Sequence, residues 1–171
     1  DMARRFSFDI NCDLIAGLTG ESFEEFCHSV DTAIALAPEN ITVHTLCLKK
    51  GARLKEETAR LEEGDLSRMI AYSRAALTKA GYEPYYLYRQ KYMAGAHENT
   101  GWTKPGHACV YNVDVMEEIA DNLAVGANAV SKKLFSGGTR IERHGTPKDI
   151  PTYLNKVDRL IAEREALFLG K

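Results

Sequence analysis

Between Phe6 and Leu48 the hydrophobic period switches from two to 3.6 and back, and no other feature restricts the fold of this chain so strongly. Phe6 to Leu18 opens in strict alternation, with Phe8, Ile10, Cys12 and Leu14 on one side and Asp9, Asn11 and Asp13 on the other, the period of a strand. Gly17-Leu18-Thr19-Gly20-Glu21 interrupts it. Ser22 with Glu25 three residues later forms a capping box, which predicts a helix from about Ser22. Phe23, Phe26, Cys27, Val30 and Ile34 keep to one face of that helix, and Pro38 closes it before a second strand, Ile41 to Leu48. Strand, helix, strand is a βαβ unit, because the helix supplies the crossover that parallel strands need. The predicted class is α/β.

After a charged stretch from Lys49 to Glu63, Asp65 is placed to cap a helix with Leu66, Met69, Ile70 and Leu77 on one face and a stop at Gly81. Tyr85 to Tyr92 reads as an aromatic strand, and Ala94 to Gly106 as an ordered loop over a site or a boundary. The domain boundary is expected near Glu98, giving residues 1–98 and 99–171. Beyond it, Met116, Ile119, Ala120, Leu123 and Val130 predict a helix over Val115 to Leu134, with Gly126 inside it. Gly137-Gly138 marks a turn and Thr139 to Arg143 a short strand. Pro151 opens a last helix with Leu154, Val157, Ile161 and Phe168 on its buried face.

Composition narrows the function classes. The 171 residues carry a net charge of -2, which leaves no basic field to hold polyanions. General nucleic-acid binding is disfavoured. No stretch approaches the roughly 18 to 20 apolar residues that span a bilayer, and Asp1 to Arg5 is not followed by a signal-peptide core, so a soluble, cytoplasmic chain is expected. Cys12, Cys27, Cys47 and Cys109 are scattered without a CxxC pair, and free thiols are the expectation. The first residue is not methionine and a core strand follows within a few residues, so the beginning of something larger is expected to be missing.

Asn11 and Asp13 lie near the carboxyl end of the first strand, where parallel sheets place ligands. Asp13 either accepts hydrogen bonds from a ribose or ties down the following loop. Gly17 and Gly20 serve turn geometry, or let a ligand approach the backbone closely. In the aromatic strand Tyr86, Tyr88, Gln90 and Tyr92 alternate with Tyr85, Leu87, Arg89 and Lys91. Such a strand could grip a flat carboxylate-bearing ligand through Arg89 and the tyrosine faces, or it is an edge strand with cross-strand aromatic packing and a solvated cationic face; single-stranded RNA on the aromatics is a third reading, disfavoured by the net charge. His97, Glu98, His107 and Cys109 match no strong metal-ligand spacing, and His44, beside Thr42, reads as a satisfied core or cavity histidine.

Three segments taken together resemble the oxygen-independent coproporphyrinogen III oxidase-like radical SAM family. They are Asn11 to Glu21, Pro38 to Leu46, and Gly81-Tyr82-Glu83-Pro84-Tyr85-Tyr86-Leu87-Tyr88-Arg89-Gln90-Lys91. The likeness continues through Glu98-Asn99-Thr100-Gly101 and Tyr111-Asn112 to Gly126-Ala127-Asn128-Ala129-Val130-Ser131. It implies the C-terminal part of a partial (β/α)6 barrel, with Phe6 to Leu18 as its fifth strand and Ile41 to Leu48 as its sixth, followed by a small, mostly helical C-terminal domain. The family's chemistry starts at a CxxxCxxC motif that this sequence does not contain.

The same resemblance implies S-adenosylmethionine as cofactor, contacted by Asp13, by the turn at Gly17, by the backbone of Cys47 and by Val130, with a [4Fe-4S] cluster only through a missing N-terminal half. It implies a tetrapyrrole-like substrate and a parent reaction of oxidative propionate decarboxylation in haem biosynthesis, with this chain inactive alone; the chemistry of the aromatic strand, and not motif position, puts Tyr88 and Arg89 near the substrate's carboxylates or ring faces. Thr19 stands where the family usually has proline, Asn128 where a small residue is common, and Tyr111 where the haem-chaperone branch carries histidine. The expected partner is the missing half or, across an exposed strand edge, a second copy. The alternative is a non-catalytic module that binds a tetrapyrrole or a protein.

Overall fold

The βαβ unit is present in the computed structural model, which describes residues 2–47, 63–89 and 97–170. Strand β1 (Asn11–Ala16) leads to helix α1 (Phe23–Ala35) and strand β2 (Asn40–Thr45), and β1 and β2 pair in parallel from Asn11↔Asn40 to Ala16↔Thr45. The capping box forms as read. Glu25 N–H donates to Ser22 Oγ at 3.2 Å, and Ser22 N–H donates to Glu25 Oε2 at 2.8 Å. The Ser22 N–H and the Ser22 hydroxyl, which also donates to Glu25 Oε2 at 2.8 Å, hold the Glu25 carboxyl below its usual range, the backbone bond most of all. β1 is shorter than the alternation suggested. Ala3–Arg5 forms a 3-10 turn, and the exposed rings of Phe6 and Phe8 stack on each other 5.7 Å apart instead of pairing into the sheet.

Asp65, the predicted cap, lies inside helix α2 (Glu63–Lys79). Asp65 instead pairs with Arg68 at 2.9 Å. Leu66, Met69 and Leu77 are buried as the periodicity required, and Gly81 ends the segment at a φ of 83°. Strand β3 (Glu83–Tyr88) follows, and the predicted continuation of the aromatic strand to Tyr92 lies outside the described residues.

The expected loop over Ala94 to Gly106 instead contains strand β4 (Asn99–Thr103), inserted between β2 and β3 and antiparallel to both. Its Asn99-Thr100-Gly101-Trp102-Thr103 has no apolar run to announce it, yet Asn99, Gly101, Trp102 and Thr103 are buried because strands flank it on both sides. The sheet order β1-β2-β4-β3 makes β3 run in the same direction as β1 and β2. Among the described residues the sheet stays open, with no barrel closure.

One face of the sheet carries the helices. Ala16, Ile41, Val43 and Trp102 pack there with Phe26, Val30 and Ala33 of α1 and with Leu66, Met69 and Leu77 of α2. Tyr82 closes the floor and donates to the carbonyl of Pro38 at 2.7 Å. Burial of a large aliphatic or aromatic side chain contributes about 1.5 to 3 kcal/mol, so this layer is the main source of stability in the unit.

The chain divides into two compact units, Asp1–Val110 and Tyr111–Lys171. The second differs most from the sequence reading. The predicted helix over Val115 to Leu134 is a short helix α3 (Val110–Glu117), an irregular stretch and a strand β5 (Val130–Phe135). Glu118, Gly126 and Asn128 all take positive φ, which ends the helix and turns the chain. Asn122 bridges Lys132 through paired backbone bonds of 2.7 and 2.8 Å. β5 pairs antiparallel with β6 (Arg140–Gly145), the short strand predicted after Gly137-Gly138.

The last predicted helix is also divided. α4 (Ile150–Leu154) is capped by Asp149, with Pro151 in its first turn, and α5 (Val157–Leu169) follows a break at Asn155-Lys156. That break rotates the apolar pattern, so Leu160 is buried while Leu154 and Ile161 are exposed. No helix among the described residues is long and apolar enough to cross a membrane.

At the amino end of the parallel strands, Glu39 ties the chain together. Ile10 N–H donates to Glu39 Oε2 at 2.8 Å and Arg4 Nη1 donates to Oε1 at 2.8 Å. The backbone bond from Ile10, then Arg4, lowers the Glu39 carboxyl to about 2. A carboxyl depressed on folding contributes stability that is present above its unfolded value near 4.5 and is lost as the pH falls toward 2. Acid titration of the melting temperature therefore shows a steeper loss between those limits for the native chain than for Glu39→Gln, and parallel curves would contradict the tie.

Candidate functional site

Alternation in β1 and β2 sends one set of side chains into the helix layer and the other to the opposite face of the sheet. The registers then place Asp13, Thr42, Gly101 and Tyr86 in one row across all four strands. His44 lies opposite Ile15, and Tyr88 opposite Asn99, one step toward the carboxyl ends of the parallel strands. The register of β3 shifts between Pro84 and Tyr86, and from there Tyr86 and Tyr88 share this face.

These side chains form two branches that converge on one carboxylate oxygen, the first hydrogen-bonded to it and the second ending just beyond hydrogen-bond length. In the first, Thr42 Oγ1 donates to Asn11 Oδ1 at 3.2 Å, and Asn11 Nδ2 donates to Asp13 Oδ1 at 2.7 Å. The Thr42 hydroxyl has spent its one proton on Asn11, so the Tyr86 phenol, 3.4 Å away, donates to Thr42. Burial pushes the Tyr86 phenol above its ordinary value, against the lowering bond with Thr42 and with smaller contributions from Tyr85, Tyr88 and Asp13, and keeps it protonated. In the second branch, Tyr88 OH lies 3.4 Å from His44 Nδ1, and His44 Nε2 lies 3.7 Å from Asp13 Oδ1. The Tyr86 and Tyr88 rings are parallel at 6.3 Å, and the Tyr88 ring meets His44 edge-on at 6.5 Å.

Asp13 itself stays 60% exposed, and its second oxygen, Oδ2, takes no partner among the described residues. An exposed carboxylate with one oxygen held and the other open is suited to accept two hydrogen bonds from a small ligand. Its contacts run sideways along the sheet to Asn11 and His44, whereas the following loop closes on its own backbone through Glu21 N–H to the Leu18 carbonyl at 3.2 Å.

The other sequence-predicted residues fall at known places. Gly17 is buried at the end of β1 with a φ of 92°, beside the Leu46-Cys47 segment, since Leu46 N–H donates to the Ala16 carbonyl at 2.9 Å. Gly17 and Cys47 thus share the carboxyl end of the sheet with the Asp13 face. Arg89, just past β3, is exposed and pairs with Glu98 at 3.0 Å. Val130 opens β5 in the second unit and is half exposed.

His97, Glu98, His107 and Cys109 do not gather. His97 meets Ser67 at 3.1 Å, Glu98 meets Arg89, and His107 meets both oxygens of Asp9 at 3.0 Å. Among the described residues no group of three or more Cys, His, Asp or Glu could hold a metal ion. His44 is the residue whose part in the site the sequence reading missed. Its parity in β2, the same as that of Thr42 opposite Asp13, was the available signal.

No family model matches the chain. It is 37% identical over 161 residues to the oxygen-independent coproporphyrinogen-III oxidase-like protein HemZ of Bacillus subtilis, covering 91% of this chain and 32% of that protein. It is 28% identical over 141 residues to the heme chaperone HemW of Haemophilus influenzae, covering 81% of this chain and 33% of that one. Among solved structures it is similar to coproporphyrinogen III oxidase, HemN, from Escherichia coli, described as a radical SAM enzyme. The TM-score is 0.58 at 18% identity, over 87% of this chain and 34% of that one. The chain therefore spans about a third of the length of the curated relatives it matches.

The row across the sheet depends on Gly101. A Cβ there would overlap the Tyr86 ring. Gly101→Ala is expected to destabilise the chain by about 1 to 3 kcal/mol through overpacking, and pairing it with Tyr86→Ala should recover part of that loss. Chemical denaturation of the single and double variants checks this, and strict additivity would contradict it.

Proposed function

We propose, on the premise that this chain is homologous over most of its length to oxygen-independent coproporphyrinogen III oxidase-like radical SAM proteins while spanning about a third of them, that it supplies the nucleoside-binding face of such a protein. The supporting observation is the convergence of the two branches on Asp13 Oδ1, which leaves Oδ2 open at the carboxyl ends of parallel strands. That is where ligands sit in sheets of this kind. In this reading Asp13 takes the ribose hydroxyls of S-adenosylmethionine, while Gly17 and the Cys47 backbone border the same end.

Tyr88 and Arg89 would meet the substrate, a tetrapyrrole-like molecule with propionate side chains. Arg89 would exchange Glu98 for a substrate carboxylate, which its planar fork can grip in two places. Holding a [4Fe-4S] cluster takes closely grouped thiolates, which neither the sequence nor the described residues provide. Bound S-adenosylmethionine supplies radical chemistry only together with such a cluster. Oxidative decarboxylation therefore belongs to the whole cytoplasmic parent, and this chain alone is inactive. Its own part is to bind and orient.

A second reading, a tetrapyrrole carrier without catalysis, is favoured by the stacked Tyr86–Tyr88 pair and by the relatives named heme chaperones. A titration with haem separates it. The carrier reading requires a saturable Soret shift at one equivalent that Tyr88→Ala weakens, and a linear, unsaturated response removes it.

Calorimetry of the chain with S-adenosylhomocysteine tests the preferred reading. Asp13→Asn should weaken binding by about 1 to 3 kcal/mol, the scale of a hydrogen bond to a charged group, with the melting temperature unchanged. Equal affinity, or a loss of stability without a loss of affinity, would return Asp13 to a structural role.

A further inference from the structure

The two nitrogens of His44 face different neighbours. Nδ1 lies 3.4 Å from the Tyr88 hydroxyl and Nε2 lies 3.7 Å from Asp13 Oδ1, in a ring whose side chain is 26% exposed. The carboxylate opposite Nε2 can only accept, which favours the ring proton on Nε2 and leaves Nδ1 to accept from the Tyr88 phenol. Asn11 Nδ2 reaches the same oxygen from the other side at 2.7 Å. Asp13 is therefore approached by two N–H groups at Oδ1 and, among the described residues, by none at Oδ2, an asymmetry that restricts the rotation of a carboxylate that exposure would otherwise leave free. The His44 approach exceeds hydrogen-bond length, so in this state it acts through the Nε2–H dipole and its bulk, and a small ring rotation converts it to a bond.

We propose that His44 is a positioning residue that sets the orientation of Asp13 and so makes the site selective for a ligand presenting two adjacent hydroxyls, the vicinal diol of a ribonucleoside. The proposal rests on the reading of Asp13 as a ligand-facing carboxylate. Tyr88 takes part through the ring, fixing the tautomer that His44 presents. Selectivity follows from geometry: an oriented Oδ2 accepts from both hydroxyls of a diol, while a freely rotating carboxylate satisfies one hydroxyl as well as two.

Calorimetry with adenosine, 2′-deoxyadenosine and S-adenosylhomocysteine tests this on the native chain and on His44→Leu, His44→Gln and Tyr88→Phe. A nitrogen-15 imidazole spectrum gives the tautomer, and a thermal melt confirms folding. His44→Leu should lose roughly tenfold in adenosine affinity and bring the preference for adenosine over 2′-deoxyadenosine below about twofold, the scale of one charge-assisted hydrogen bond. His44→Gln, which places an N–H donor near the Nε2 position, should restore most of the preference. The native spectrum should show the Nε2–H form, and Tyr88→Phe should mix the two tautomers. Binding to the native chain with an unchanged preference in His44→Leu, or an Nδ1–H native form, overturns the positioning role alone. Absence of nucleoside binding to the native chain overturns the reading of Asp13 and the role that depends on it.

Discussion

The parallel pairing of β1 with β2 decides which side chains meet in the first unit. With Asn11 opposite Asn40 and Ala16 opposite Thr45, Leu14 and Val43 point together into the helix layer while Asp13 and Thr42 point together to the other face. A slip of one residue would exchange the two sets, exposing the core and burying an aspartate. The register is held at its amino end, where Asn40 N–H donates to the Ile10 carbonyl at 3.0 Å and Glu39 receives Ile10 N–H. It is held again at its carboxyl end by Leu46 N–H on the Ala16 carbonyl, and the buried Asn99 amide receives Thr45 N–H at 2.7 Å. The polar face is thus a by-product of the core. The same constraint that buries Ile41 and Val43 lines up Asp13, Thr42 and His44.

Sequence reasoning reached this unit because its signals are local. Ser22 and Glu25 lie one turn apart, Pro38 and Gly81 stop helices by their own backbone restrictions, and the alternation in β1 needs no partner to be seen. β4 was invisible for the opposite reason. Asn99, Gly101 and Thr103 are buried by the strands on either side and not by their own polarity, so no local period reports them. The site was legible in part. Asp13 stood out as an acid near a strand end, but its link to His44 and Tyr88 depends on registers between distant segments, one of them read as a loop.

In the second unit the local signals misled. The helical spacing of Ile119, Leu123 and Val130 is real, yet all three are exposed, because Glu118, Gly126 and Asn128 turn the backbone before a helix can use the pattern. What strand β5 buries is polar or charged: Ser131 completely, and Lys132 among the Val115 carbonyl and Glu118 Oε1, at 3.3 and 3.2 Å. Glu118 also receives Arg143 Nη2 at 2.7 Å, and the bond from Lys132, more than that from Arg143, lowers its carboxyl below the usual range. A hairpin held by such contacts leaves little hydrophobic periodicity for a sequence to display.

The insertion of β4 between β2 and β3 has a consequence for synthesis on the ribosome. Residues 40–45 have their parallel partner as soon as they emerge, but the other edge of β2 waits for residues 99–103, and β3 has no place in the sheet until β4 is seated beside it. Because the cost of closing so long a span falls before any of the pairing returns it, β4 and β3 join the sheet only after β1 and β2 are available to each other. Until Thr103 has left the exit tunnel, the nascent chain carries Ile41 and Val43 on a strand with one bare edge. That is the interval in which a chaperone, or another strand, has access to it.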